Sequence, residues 1–207
     1  MSKAHVDRRE RMAEQTRREI ISAARRLFAE RGYAATAIND IADQAGVAVQ
    51  TIYARLGSKR GMLLALIDLI DDEADVDQHA AAVLNAATPR AALGAGIRLT
   101  RTFQERCGDI IDALFTAAGA EPELAAAVAE AQRRHREGAR ITIERIQRLH
   151  GLRDAVPPQH AQALFALTTN HEAWRELVRG YRLDWDTAES RLIDALSRAL
   201  LARPAAK

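Results

Sequence analysis

Apolar residues recur along this chain every three or four positions, the period of a helix with one buried face. Ile20, Ile21, Ala24, Leu27 and Phe28 form the first such face, and Gly32 suits the left-handed residue that ends a helix. Thr16 with Glu19 three residues on makes a capping box, so a first helix is predicted over about 17–31. Thr36 is placed to cap a short second helix carrying Ile38, Ile41, Ala42 and Ala45. Gly46 follows, then a short segment over 47–56 with Val47, Ile52 and Leu56 apolar. Gly57-Ser58 interrupts, and Ser58 caps a fourth helix over about 59–74 with Met62, Leu63, Leu66, Ile67 and Ile70 as its stripe, ending among Asp71, Asp72, Glu73, Asp75 and Asp77.

The remainder also reads as helix. Thr88-Pro89, a cap and an N1 proline, opens a helix to about residue 106, and Gly108 is expected to divide it from a short one with Ile110, Ile111, Leu114 and Phe115. Glu121-Pro122 starts a long helix to about 150, with Gly138 as a weak point and Gly151 as the stop. Pro157-Pro158 marks a loop before a helix over 159–179. Asp186 with Glu189 signals the cap of a last helix, running to about 202 before Pro204. No strand or repeat is evident. The expectation is an all-α protein of about nine helices.

Composition agrees: 48% of residues are hydrophobic but only 4% aromatic, a balance that favours helix. A single cysteine, Cys107, excludes an internal disulfide and fits a reducing compartment. There is no apolar run long enough for a bilayer and no signal-peptide core at the start, so a cytoplasmic protein without a membrane partner is expected. The net charge of +2 is uneven: residues 1–62 hold 12 Lys+Arg against 7 Asp+Glu, and residues 63–207 hold 18 against 21. A basic first part suits a polyanion. It divides into a flexible basic arm over 1–15, containing Arg8, Arg9 and Arg11, and a compact segment over 16–60, with residues 61–207 as a second domain and helix 59–74 as the link.

Two short helices around a glycine-containing turn describe a helix-turn-helix. With Ile41, Ala42, Val47, Ile52 and Leu56 buried, the outward residues of its second helix are Val49, Gln50, Thr51, Tyr53 and Arg55. Such a helix fits the major groove, where Gln, Thr and Arg can read base edges. In order, the capping box, Leu27-Phe28, Gly32-Tyr33, Thr36, Ile41-Ala42, Ala45-Gly46-Val47, Thr51, Tyr53 and Ser58-Lys59 resemble the TetR family of repressors. That resemblance implies DNA contacts from Thr36, Asn39, Val49, Gln50, Thr51, Tyr53, Arg55 and Lys59. Tyr53 would contact a phosphate, as would Lys59 with its ammonium and helix N-terminus. Ala48 stands where relatives often have a serine N-cap, and Ala37 where they often have Ser or Thr on a phosphate.

The partners expected are double-stranded DNA carrying an inverted repeat, a second copy of the chain, and a small-molecule effector. Two half-sites require a symmetric dimer, with Leu164, Phe165, Leu192, Ala195, Leu196 and Ala199 as its interface. In proteins resembling this one the middle helices enclose a ligand pocket, which implies Phe103, Cys107, Leu114, Phe115, Thr169, His171 and Trp174 as effector-binding candidates. Catalysis is disfavoured: His79, His135, His150, His160 and His171 are scattered without a metal-ligand spacing, and no nucleophile motif or phosphate-binding glycine loop occurs. No metal, cofactor or catalytic residue is assigned. The rival reading is a helical adaptor for protein or anionic lipid, presenting its Ala-rich stretches 80–83 and 124–128.

Overall fold

The computed structural model describes residues 3–202. The chain is all-α. Its helices are α1 (Lys3–Arg31), α2 (Ile38–Ala45), α3 (Val49–Leu56), α4 (Lys59–Ile67), α5 (Ile70–Glu73), α6 (Val76–Leu84), α7 (Pro89–Ala118), α8 (Ala125–Arg148), α9 (Pro158–Thr168), α10 (His171–Arg175) and α11 (Trp185–Leu200). A 3-10 turn, Pro122–Leu124, precedes α8, and a π turn, Glu176–Gly180, extends α10. The sole β pairing among the described residues is an isolated antiparallel bridge between Leu152 and Leu201. The side chains of Arg8, Arg9, Asp71 and Asp72, and the whole of Pro204, lie outside the described residues.

Two compact units emerge. The first holds residues up to Ile70 together with Asp109–Ala125; the second holds Asp71–Gly108 and the chain from Ala126 onward. The first therefore takes in a segment that a cut near residue 60 would leave out. Its core gathers Ile20, Ala24, Leu27 and Phe28 of α1, Ile41 and Ala42 of α2, Ile52 of α3, and Met62, Leu63 and Leu66 of α4. Ile110, Leu114, Ala117 and Leu124 from the later segment are buried as well. The core of the second unit is built from Leu93 and Ile97 of α7, Ile143 and Ile146 of α8, Phe165 of α9, Trp174 of α10, and Ala188, Leu196 and Leu200 of α11.

Several boundaries differ from those the sequence suggests. α1 begins at Lys3, so the stretch expected to be an arm is helical from that residue on. Thr16 caps nothing. It lies inside α1 and donates its hydroxyl to the Met12 carbonyl, while Glu19 accepts from Gln15. A charged stretch without an apolar period can still continue a helix that is already nucleated, because each added residue gains a hydrogen bond. The expected fourth helix is broken: the Leu69 amide shortens to an i−3 bond on Leu66, and α5 starts afresh. Conversely, α7 runs unbroken through Gly108, because a glycine costs a helix only about 1 kcal/mol and Cys107 and Ile110 on either side of it are buried.

Further along, α8 passes Gly138 without interruption. It stops with His150, and not Gly151, in the left-handed conformation. The helix expected over 159–179 ends at Thr168, and Asn170 caps α10 by accepting from the Ala173 amide. α11 is capped by Asp184, two residues before the expected Asp186, through the Thr187 amide at 2.8 Å.

A candidate nucleic-acid interface on α2 and α3

The α2–α3 turn is closed by backbone alone. Gly46 has φ 66°, a conformation open to glycine because it has no β-carbon, and the Val47 amide donates to the Ala42 carbonyl at 3.0 Å. Ala37 and Ala48 occupy the N-cap positions of α2 and α3 and supply no side-chain cap. α3 therefore owes its position to packing. Ile52 is fully buried, Val49, Thr51 and Leu56 are half-buried, and Gln50, Tyr53, Ala54 and Arg55 are exposed. Tyr53 is 53% exposed despite its large ring. Among the described residues, Gln50, Tyr53 and Arg55 make no side-chain hydrogen bond or ion pair, and Asn39 is likewise exposed on the first turn of α2.

The other end of α3 is tight. Gly57 turns the chain at φ 72°, and Ser58 caps α4 by accepting from the Gly61 amide at 3.0 Å. A β-carbon on Gly61 would sit 1.9 Å from the Leu56 carbonyl oxygen, so the end of α3 rests directly on the first turn of α4.

Two expected DNA contacts are occupied elsewhere. Thr36 is 2% exposed, and its hydroxyl donates to the carbonyls of Leu27 and Gly32 (3.2 and 2.8 Å). It neither caps α2 nor reaches the surface, because the turn after Gly32 folds it onto the end of α1. The Lys59 ammonium lies over the Tyr33 ring, 4.4 Å from its centroid, and donates to the carbonyls of Tyr33, Ala34 and Thr36.

Three polar links brace this unit and were invisible in the sequence. Arg25 holds Asp109 through two bonds of 2.6 and 2.9 Å, the Tyr33 hydroxyl donates to Glu121 at 2.6 Å, and Arg60 pairs with Glu123 at 3.3 Å. Burial and then the Glu121 carboxylate push the Tyr33 hydroxyl well above the ordinary phenol range, so it stays a donor. Arg25 and Asp109 lie 84 residues apart, and no local period reports such a pairing.

In the second unit Trp174 is fully buried and its indole donates to the Thr100 hydroxyl at 3.1 Å. His171 Nδ1 lies 2.9 Å from Gln104 Oε1, and the Thr169 hydroxyl donates to the Phe165 carbonyl. Cys107 is buried with its Sγ 3.7 Å from a Glu73 carboxylate oxygen, and Phe103 is half-buried. Leu114 and Phe115 belong to the first unit, so neither unit gathers the whole expected effector set. A cavity of about 380 Å³ in the second unit is lined by other residues, among them Arg90, Arg98, Arg101 and Glu189. Among the described residues, no group of three or more His, Cys, Asp or Glu could hold a metal ion, and no helix is long and apolar enough to cross a membrane.

Of the expected interface residues, Phe165 (1% exposed) and Leu196 (3%) are corrections: both face the unit's own core. Adjacent helix positions point about 100° apart, so Leu164 beside Phe165 faces outward, as do Leu167 (68% exposed), Ala195 and Ala199. Leu192 packs half-buried against the core.

Comparison with known proteins places these features. Residues 20–66 match the model for bacterial regulatory proteins of the tetR family. Residues 20–66 are a tetR-family N-terminal domain. The chain is 40% identical over 70 residues to the HTH-type transcriptional regulator TtgR of Pseudomonas putida, a match covering 34% of this chain and 33% of TtgR. It is equally similar to the probable HTH-type transcriptional regulator ArpR of Pseudomonas putida. The chain thus aligns with about a third of the length of these relatives. The fold of nearly the whole chain is shared with solved structures: a protein from Saccharomonospora viridis, solved in complex with choline, superposes with a TM-score of 0.74 at 24% identity, covering 92% of this chain and 100% of that one. The SmeT–triclosan complex superposes with a TM-score of 0.69 at 18% identity, covering 91% and 92%.

Proposed function

We propose that this protein is a cytoplasmic, sequence-specific DNA-binding transcriptional regulator, a homodimeric repressor that a small-molecule effector releases from a palindromic operator. The observation that carries this reading is the outer face of α3. Gln50, Tyr53 and Arg55 stand exposed and unengaged on a helix whose opposite side is buried through Ile52. Exposed side chains of this type on a rigid helix of major-groove width are what base and phosphate recognition needs. Gln50 and Arg55 are assigned to base edges, Tyr53 to a phosphate, and Asn39, Val49 and Thr51 to the flanks.

Leu164, Leu167, Ala195 and Ala199 supply an outward apolar strip for a second copy, and two recognition helices would then read two half-sites. The proteins of like fold solved with choline and with triclosan support a small organic effector. Such an effector would act by linkage, binding better to the state with weaker DNA affinity. Selection from random duplex DNA at near-physiological salt tests the reading. Enrichment of an inverted repeat is expected; no enrichment, or enrichment without symmetry, overturns it.

A further inference from the structure

The cavity of about 380 Å³ in the second unit is an open groove between α7 and α11, and three guanidiniums line it. Helix geometry brings them together: at about 100° per residue, Arg90, Gly94, Arg98, Arg101 and Glu105 share one face of α7. Phe103 and Cys107, expected in the effector pocket, fall on the opposite face. Ile193 of α11 packs over Gly94, where an added β-carbon would already be in contact at 3.5 Å. At this approach the arginines on either side of Gly94 reach across to α11. Arg90 donates to Ser197 and Asp194 at 2.9 and 2.6 Å. Arg98 and Arg101 each take one oxygen of Glu189, at 3.2 and 2.8 Å. Arg101 also donates to Asp186 at 2.7 Å and to Glu105 at 3.0 Å.

The two carboxylates that line the groove are held differently. The Glu189 side chain is 9% exposed and both of its oxygens accept from arginine, so it is a fixed part of the wall. The Asp186 side chain is 89% exposed and accepts through one oxygen; an ion pair so open to water is worth little and is readily exchanged. Among the described residues, Arg98 Nη1 and Arg101 Nη2 have no acceptor. A guanidinium presents five N–H donors in a rigid fork that matches the two oxygens of a carboxylate. The groove thus offers unused donors beside an exchangeable carboxylate, with Ile193 as an apolar part of its lining. We infer that it binds the carboxylate of a small organic acid carrying a short apolar group. The ligand's oxygens take the place of Asp186 on Arg101 and reach Arg98, and its apolar part lies over Ile193. A singly charged group then replaces a singly charged side chain, whereas a doubly charged phosphate would add repulsion from Glu105, Glu189 and Asp194. The site is also separate from the outward strip proposed for the dimer: Ser190, which lines the groove, points about 180° from Ala199 around α11.

Calorimetric titration of the full chain with hexanoate at low salt tests this, with hexanamide as the neutral control. Saturable binding of hexanoate and none of hexanamide is expected. Arg98→Gln should weaken hexanoate about tenfold, the size of one hydrogen bond to a charged group. Asp186→Ala should act in the opposite direction and tighten binding by up to about fivefold, because the competing acceptor is gone. Ser190→Phe fills the groove without touching an ion pair and should abolish binding. Binding at another place, or a general loss of fold, would not give opposite changes at two neighbouring charges. No saturation by about 10 mM hexanoate, equal binding of hexanamide, or wild-type affinity in Arg98→Gln and Ser190→Phe each overturns the site. Unchanged or weaker binding in Asp186→Ala overturns the exchange at Arg101. Circular dichroism checks each fold, and if Arg98→Gln does not fold, the variants at the exposed positions Asp186 and Ser190 decide the matter. The titration contains no DNA, so its outcome is independent of the duplex selection.

Discussion

Replacing Gly61 by alanine should destabilise the first unit, although alanine is the better helix former. Gly61 is the third residue of α4, and an alanine there would gain about 1 kcal/mol from helix propensity. Against this, its β-carbon would lie 1.9 Å from the Leu56 carbonyl oxygen and 3.1 Å from the carbonyl carbon. Both belong to backbone, so no side chain can swing aside, and the end of α3 must retreat by about 1.5 Å to restore an ordinary contact. Overpacking of this kind costs about 1–3 kcal/mol and outweighs the propensity gain. Gly138 is the internal control. It lies mid-helix in α8, where an added β-carbon would meet nothing within 4 Å, so Gly138→Ala should stabilise by about 0.5–1 kcal/mol. Urea unfolding followed by circular dichroism would compare the midpoints, and the selected duplex would report affinity. Gly61→Ala should lower both midpoint and affinity, because the displaced atoms are those of α3 itself. A Gly61→Ala protein at least as stable as wild type would refute the argument from close approach.

Other consequences can be checked separately. Gln50→Ala and Arg55→Ala should relax preference at particular bases by about 1–3 kcal/mol if the contacts are bidentate, whereas Tyr53→Phe should weaken all sequences alike; repeating the selection with each variant would reveal an unchanged motif if the assignment is wrong. Burial, reinforced by the nearby Arg136 charge and partly opposed by the Ala166 carbonyl, lowers the His135 pKa below its ordinary 6.5. The folded state thus binds this proton less readily than the unfolded one, so its stability contribution is present above about pH 6.5 and is lost as pH falls through the depressed folded value. His135→Gln should flatten that part of the stability–pH curve, and an unaltered slope would exclude the residue. Trp174→Phe removes the indole bond to Thr100 and leaves a void at a fully buried site, so a loss of about 2–3 kcal/mol in thermal or urea unfolding is expected; a neutral effect would mean that α10 is not anchored there.

The stretch from Ile20 to Leu66 was largely legible because its determinants are local. The apolar periods of α1, α2 and α3, the turn at Gly46 and the Ser58 cap each depend on residues within one helical turn, and each has a side-chain or backbone reason that can be read in order. Where two local signals compete, neighbouring turns decide. Gly108 stays helical because buried residues on both sides, Cys107 and Ile110, carry the helix through it. Asp184, and not Asp186, becomes the cap of α11 because its carboxylate accepts the Thr187 amide.

What the sequence by itself determined, then, is the all-α class, the helix-turn-helix and the exposed character of Gln50, Tyr53 and Arg55, because periodicity alone assigns a helix face. Only the tertiary structure decided which polar groups are already engaged. Thr36 and Lys59 have the right types and positions for phosphate contacts, yet their hydrogen bonds go to the backbone at the end of α1 and in the following turn. The same holds for Phe165 and Leu196, whose apolar stripe is compatible with either a partner or the chain's own core until neighbouring helices take one side. Hydrophobic period specifies that a side chain is covered; what covers it depends on contacts between residues far apart in sequence, and those exist only once the chain has packed.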